Sequence, residues 1–174
     1  MATKKKELTY DEGNTPWLWN GKPLESFPEG VATFVYLITN KTSGKQYVGF
    51  KTVTSSLTKV VNHKKKKVLT ESDWRNYWSS SNQLFEAVER EGKDNFLREI
   101  LYMCPNKAVG KFLEAEEQFC RKVMTENADL YYNGIINLRL GEITIGQWRN
   151  AIKASKLLGD RLAKKLRAKR VNQE

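Results

Sequence analysis

The stretch Phe34-Val35-Tyr36-Leu37-Ile38-Thr39-Asn40, continued after Lys41-Thr42-Ser43 by Gly44-Lys45-Gln46-Tyr47-Val48-Gly49, decides the fold. β-Branched and aromatic side chains dominate both halves and pack well on a pleated surface. Asn40 to Gly44 is a cluster of turn formers between them. The pattern predicts a hairpin with strands over 31–39 and 45–50. Ten residues separate Tyr36 from Tyr47, which sets them on adjacent antiparallel strands where they can share one face. Gly49 stands where a backbone is approached closely or turned sharply.

Working outward, residues 1–30 read as an irregular leader. Pro16, Pro23, Pro28 and the Asn20-Gly21 and Glu29-Gly30 pairs interrupt regular structure, while Trp17, Leu18, Trp19 and Phe27 pin the segment to the body. Downstream, 55–63 reads as a short helix running into Lys64-Lys65-Lys66-Lys67. A helix over 82–91 carries Leu84, Phe85 and Val88 and stops at Gly92. A third strand spans 96–103, and a long helix spans 108–125 with Leu113, Phe119, Cys120 and Val123 on one side. Residues 131–140 form a return segment. A basic helix over 145–170 carries the stripe Trp148, Ile152, Leu158, Leu162 and Leu166. The expected fold is α+β: a small antiparallel sheet, made of the hairpin plus a third strand, flanked by helices. Residues 31–140 are the expected domain, and 141–174 a basic helical tail.

The chain has 174 residues, with 30 Lys and Arg against 20 Asp and Glu, and a net charge of +10. A polyanionic partner is the leading implication. Nine Lys and Arg against three Asp and Glu lie from residue 141 onward, and the four-lysine run is a second basic block. Lys64, Lys65, Lys66, Lys67, Arg149, Lys153, Lys164 and Arg167 are therefore candidate nucleic-acid contacts. No apolar run approaches the ~20 residues needed to span a bilayer, and no secretory signal is visible. Two cysteines and one histidine make neither a disulfide framework nor a zinc site. A reduced, cytoplasmic setting is expected. Any catalytic metal would sit on carboxylates, which suits a hard ion such as Mg²⁺.

The hairpin residues resemble the GIY-YIG nuclease superfamily, whose signature is Gly-Ile-Tyr on the first strand and Tyr-Ile-Gly on the second. Here the two read Phe34-Val35-Tyr36 and Tyr47-Val48-Gly49: both tyrosines and the final glycine stand, while Phe34 and Val35 depart from the signature. Ile38-Thr39-Asn40 and Gly44-Lys45 also match. From about residue 17 to 132 the chain looks like a phage-encoded, homing-endonuclease-like branch. That branch has an Asn-Gly-Lys-Pro leader, a Tyr-Ile-Gly motif followed by lysine, a Ser-x-Trp segment and a Glu-Ala-x-x-Gln-Phe helix. They correspond to 20–23, 47–51, 72–74 and 114–119, with Phe50 intervening before Lys51.

The resemblance implies a Mg²⁺-dependent DNA endonuclease, acting in the cytoplasm of a bacterial host. A tyrosine, Tyr36 or Tyr47, would activate water, with a metal or a lysine such as Lys51 lowering its pKa or taking part of the proton load, while a cation would neutralise the phosphate and a helix glutamate would hold one divalent ion. Such hydrolysis needs an activated oxygen and positive charge where the phosphoryl oxygens become more negative. The motif selects Glu114, whereas the helical spacing puts Glu116 on the apolar side, where a carboxylate needs a partner. Glu114 ranks slightly ahead, and Glu117 is read as a solvated neighbour. Gly49 and Asn133, the latter in a Tyr-Asn pair, would order the site. The family's arginine on the helix after the second motif is missing. Lys59 and His63 stand at the i, i+4 spacing there, and Arg75 lies further on. Lysine lacks the planar fork that grips two phosphate oxygens, so a catalytically inactive nucleic-acid-binding module is the alternative reading. Charge reads backbone in DNA and RNA alike, and the oligomeric state has no signature in the sequence.

Overall fold

A computed structural model describes residues 10–11, 13–61, 64–136 and 153, with side chains omitted for 59–61 and 64–67. The elements are β1 (Trp17–Trp19), β2 (Lys22–Pro23), β3 (Thr33–Asn40), β4 (Gln46–Thr52), β5 (Thr54–Val61), β6 (Lys64–Glu71), α1 (Asn82–Glu91), β7 (Phe96–Cys104) and α2 (Lys107–Cys120). Single 3₁₀ turns precede β7 and follow α2. The α+β class holds, with a larger sheet than the sequence suggested. Five strands run in the order β2-β1-β7-β3-β4, and β5 and β6 form a separate two-stranded sheet.

The hairpin forms in the expected register. Tyr36 lies opposite Gly49 and Ile38 opposite Tyr47, so the two tyrosines share a face on neighbouring rungs. β3 is central between β4 and β7, antiparallel to both, and seven of its eight residues are buried. The sheet is not purely antiparallel. Trp17 and Leu18 of β1 pair in parallel with Arg98 and Glu99 of β7. The expected irregular leader thus contributes β1 and β2, joined by Asn20 and Gly21 at positive φ of 50° and 73°. Asn-Gly tolerates that conformation and closes a tight hairpin.

Alternation along β3 divides two cores. Phe34, Tyr36 and Ile38 pack with Trp17, Trp74 and Trp78 and with Leu84, Ala87 and Val88 of α1. Val35 and Leu37 pack with Val48, Leu113 and Val123, and α2 covers that face. Phe119 and Cys120, expected on the buried side of α2, are exposed. Gly110, Leu113, Ala115 and Gln118 occupy the buried stripe instead. At Gly110 an added Cβ would lie 2.5 Å from Thr33 Oγ1, so glycine permits the close approach of helix and sheet.

The expected helix over 55–63 is a strand. Thr52, Val53, Thr54, Thr58, Val60 and Val61 crowd this segment with β-branched residues, which are stiff at χ1 and favour the pleat. β5 pairs with β6 along its whole length, with Lys59 opposite Lys66. Backbone bonds from Val53 to Ala32 (2.9 Å) and from Ser72 to Val53 (2.9 Å) tie the hairpin's base to the body. Residues 137–152 and 154–174 lie outside the described residues, and with them Arg149, Lys164, Arg167 and the expected tail helix. Lys153 is helical and exposed. Among the described residues, no helix is long and apolar enough to cross a membrane.

Candidate active site

β4 is an edge strand, so side chains from both faces of the sheet reach one trough along it. A cavity of about 280 Å³ is lined by Tyr36, Tyr47, Lys51, Tyr77, Lys107 and Glu114, among others. Glu114, Lys107 and Tyr47 also border an adjoining cavity of about 480 Å³ that extends to Lys111, Asn133 and Ile135. A third, of about 260 Å³, continues past Ser80 and Tyr132. The two tyrosines, Lys51 and one helix glutamate are therefore brought together.

The hydroxyls of Tyr36, Tyr47, Tyr77 and Ser80 cluster closely enough for each phenol to feel its neighbours. The rings of Tyr36 and Tyr47 lie 6.1 Å apart. Burial pushes Tyr36 well above the ordinary phenol range and also raises Tyr47 and Tyr77, because a phenolate is poorly solvated there. Gly49 explains how the tyrosines fit under the strand. A Cβ there would stand 2.5 Å from Tyr36 Oη and 2.8 Å from Tyr47 Cε1.

Lys51 Nζ pairs with Asp73 at 2.7 Å and lies 3.7 Å from the centre of the Tyr77 ring. Glu114 is the glutamate of the trough. Desolvation raises its pKa to about 7, against the opposing effects of the Phe50 N–H and Lys111. Glu116 lines neither of the cavities that hold Glu114. Glu117 is not simply solvated, since it accepts a 2.6 Å bond from Tyr102 Oη and pairs with Arg121 at 2.8 Å. Asn133 makes two bonds to one residue of β4: its Oδ1 accepts from Val48 N (2.9 Å) and its Nδ2 donates to Val48 O (2.8 Å).

The arginine substitutes do not assemble here. Arg75 pairs with Glu71, donates to Glu25 O at 2.7 Å and stacks 4.3 Å from Trp74, so it braces the leader. Lys59 lies in β5, where the helical i, i+4 relation to residue 63 does not apply, and His63 is outside the described residues. Lys64 to Lys67 run along β6.

Two functional candidates escaped the sequence reading. Tyr77 sits in an irregular segment and carries no periodic signal. Arg98 looks like an ordinary charged strand residue, yet it is fully buried, 4.6 Å from the rings of both Trp17 and Trp78. Its Nη1 donates to Tyr77 O at 3.0 Å and its Nη2 to Thr15 O. Burial lowers its pKa to about 10, leaving it cationic at neutral pH. Arg98 therefore holds the backbone that presents Tyr77.

A tyrosine hairpin on an edge strand, with a lysine and a part-buried helix carboxylate facing one trough, is the constellation of a GIY-YIG-type domain. A family model described as "Putative endonuclease segE, GIY-YIG domain" matches residues 17–136. The chain belongs to this SegE-type branch of the GIY-YIG nuclease superfamily. No curated protein and no solved structure gave a match.

Proposed function

We propose that the chain is a Mg²⁺-dependent endonuclease that hydrolyses phosphodiester bonds in DNA, of the phage homing-endonuclease-like kind. The observation that carries this reading is the convergence of Tyr36, Tyr47, Lys51 and Glu114 on one trough. Tyr47 is the tyrosine that meets the attacking water, because it borders all three cavities. Tyr36 is almost fully enclosed and packs against the Tyr47 and Tyr77 rings, so it fixes their positions. Lys51 faces the phosphoryl oxygens, its ammonium fixed by Asp73 and the Tyr77 ring.

Among the described residues there is no cluster of three His, Cys, Asp or Glu, and the donor set for a metal is the Glu114 carboxylate. That suits Mg²⁺, which keeps most of its water and binds through one or two carboxylates plus substrate phosphate. When bound, the ion would supply positive charge to the phosphate and a more acidic water. A carboxyl titrating near 7 would lose its proton on meeting a dication. The phenols, raised by burial, are protonated at neutral pH, so Tyr47 acts through hydrogen bonding to the water, and it becomes a base for the water's proton only after nearby positive charge has lowered its pKa enough to release its own proton to solvent.

One observation favours the inactive-module alternative: no arginine lines these three cavities. The deciding experiment incubates the full chain with supercoiled and linear DNA, in Mg²⁺ or EDTA, beside Tyr47→Phe. Nicked or linear product in Mg²⁺ alone, absent with Tyr47→Phe, is the expected result. Binding with no product in Mg²⁺ assigns the chain to the inactive class.

A further inference from the structure

The trough continues beyond the tyrosines along α2. Lys107, Lys111 and Glu114 follow at i, i+4 and i+7, a spacing that keeps three side chains on one helix face. All three border the 480 Å³ cavity, whose size lies within the range of sites for small organic groups. Lys107 also borders the 280 Å³ cavity that holds Tyr36 and Lys51. Among the described residues, neither Lys107 nor Lys111 makes a direct ion pair with a carboxylate. Lys51, by contrast, is already paired with Asp73, and Arg75 and Arg98 serve the body. The far wall carries Ile135, which is 68% exposed, and the half-buried Phe50 ring contributes further apolar surface. Two ammonium groups without a direct ion pair, beside apolar surface, match the anionic phosphates and apolar sugar and base faces of a nucleic-acid strand.

We propose that Lys107 and Lys111 bind the phosphodiester backbone of the strand next to the scissile phosphate, so that the 480 Å³ cavity is a substrate subsite of the trough. This rests on the nuclease reading for its ligand, but it concerns binding and not the chemical step. The two lysines supply from α2 the phosphate-gripping charge that no arginine lining the three cavities supplies. Because lysine acts as a point charge on a flexible stem, the subsite tracks the backbone without imposing a sequence.

The test is the salt dependence of binding of a fluorescent DNA duplex, by anisotropy in EDTA so that no cleavage intervenes. It compares the full-length wild-type chain with K107Q, K111Q and the double variant. Lys122→Gln is the control, since that lysine lies beyond the far end of α2 and pairs with Glu126. Each lost phosphate contact on duplex DNA reduces the log-log salt slope by about 0.9. The double variant should therefore flatten the slope by about 1.8, with unchanged thermal midpoint, and Lys122→Gln should leave it as it was. An unchanged slope in a wild-type chain that binds and cleaves DNA overturns the subsite and leaves the nuclease reading intact. A changed pH profile of cleavage with an unchanged slope also overturns it, because the lysines would then act only on Glu114. A slope reduced as expected, in a chain that cleaves nothing in Mg²⁺, supports the subsite while the nuclease reading fails.

Discussion

At position 49 the lack of a side chain is a geometric requirement. Tyr36 is enclosed between the strand and the Trp17 ring, 4.9 Å away, so its hydroxyl cannot retreat from a new methyl group. Gly49→Ala should destabilise the fold by about 1–3 kcal/mol, as overpacking does, and should reduce cleavage further by displacing Tyr36 and Tyr47. Chemical denaturation and the plasmid assay read the two effects separately. Glu114 makes a second prediction at this scale. Its folded-state pKa, about 7, lies above its unfolded value, so folding favours the protonated form. That contribution to stability is present below the unfolded pKa and is lost as pH rises through about 7. Glu114→Gln removes the dependence. Relative to wild type it should gain stability on the order of 1 kcal/mol between pH 5 and pH 8, a figure reduced because the carboxyl is part-exposed. Thermal midpoints across that range check it, and parallel pH profiles for the two proteins would count against a desolvated Glu114. In Mg²⁺ the same variant should lose cleavage while keeping DNA binding.

Among the elements, those with a strong local signal were legible. The β3–β4 hairpin, α1 and the span of β7 follow from alternation, from the Ser81 cap that accepts from Leu84 N, and from Gly92 at positive φ. β5 was not legible, because its apolar residues suit either period and its pairing with β6 is a tertiary fact. β1 was missed because a three-residue strand gains its stability from β7, 81 residues away. Of the site, both tyrosines, Lys51 and Glu114 were legible through their motif. Choosing Glu114 over Glu116 required knowing which side of α2 meets the edge of β4. The β5–β6 pair touches the body chiefly at its base, so replacing residues 56–69 by Asn-Gly should change the melting free energy by less than about 1 kcal/mol. If its lysines meet phosphates, the same deletion should flatten the salt slope of DNA binding by several units. Calorimetry and anisotropy check the two halves of that prediction.

For the whole molecule, Arg98 joins the leader, the sheet and the Tyr77 segment through a single guanidinium. Arg98→Met would leave the carbonyls of Thr15 and Tyr77 without their donor, at a cost of about 3 kcal/mol for two charge-assisted bonds. The loss should appear in urea unfolding, with cleavage affected before the fold is lost. The edge of β4 has a wider bearing. Its outward polar groups are met in turn by Tyr132 N at Gln46 O and by the Asn133 amide and Gln118 at Val48, and the Glu114 carboxylate lies near the Phe50 N–H. The Asn133 amide offers one donor and one acceptor, as a neighbouring peptide would. The open flank of the sheet is thereby sealed by side chains, which denies another copy of the chain a row of free groups on which to zip. Protection from self-association and the lining of the reactive trough are one piece of architecture, because Asn133 and Gln118 serve both, so a change that frees either side chain also uncovers part of a sticky edge.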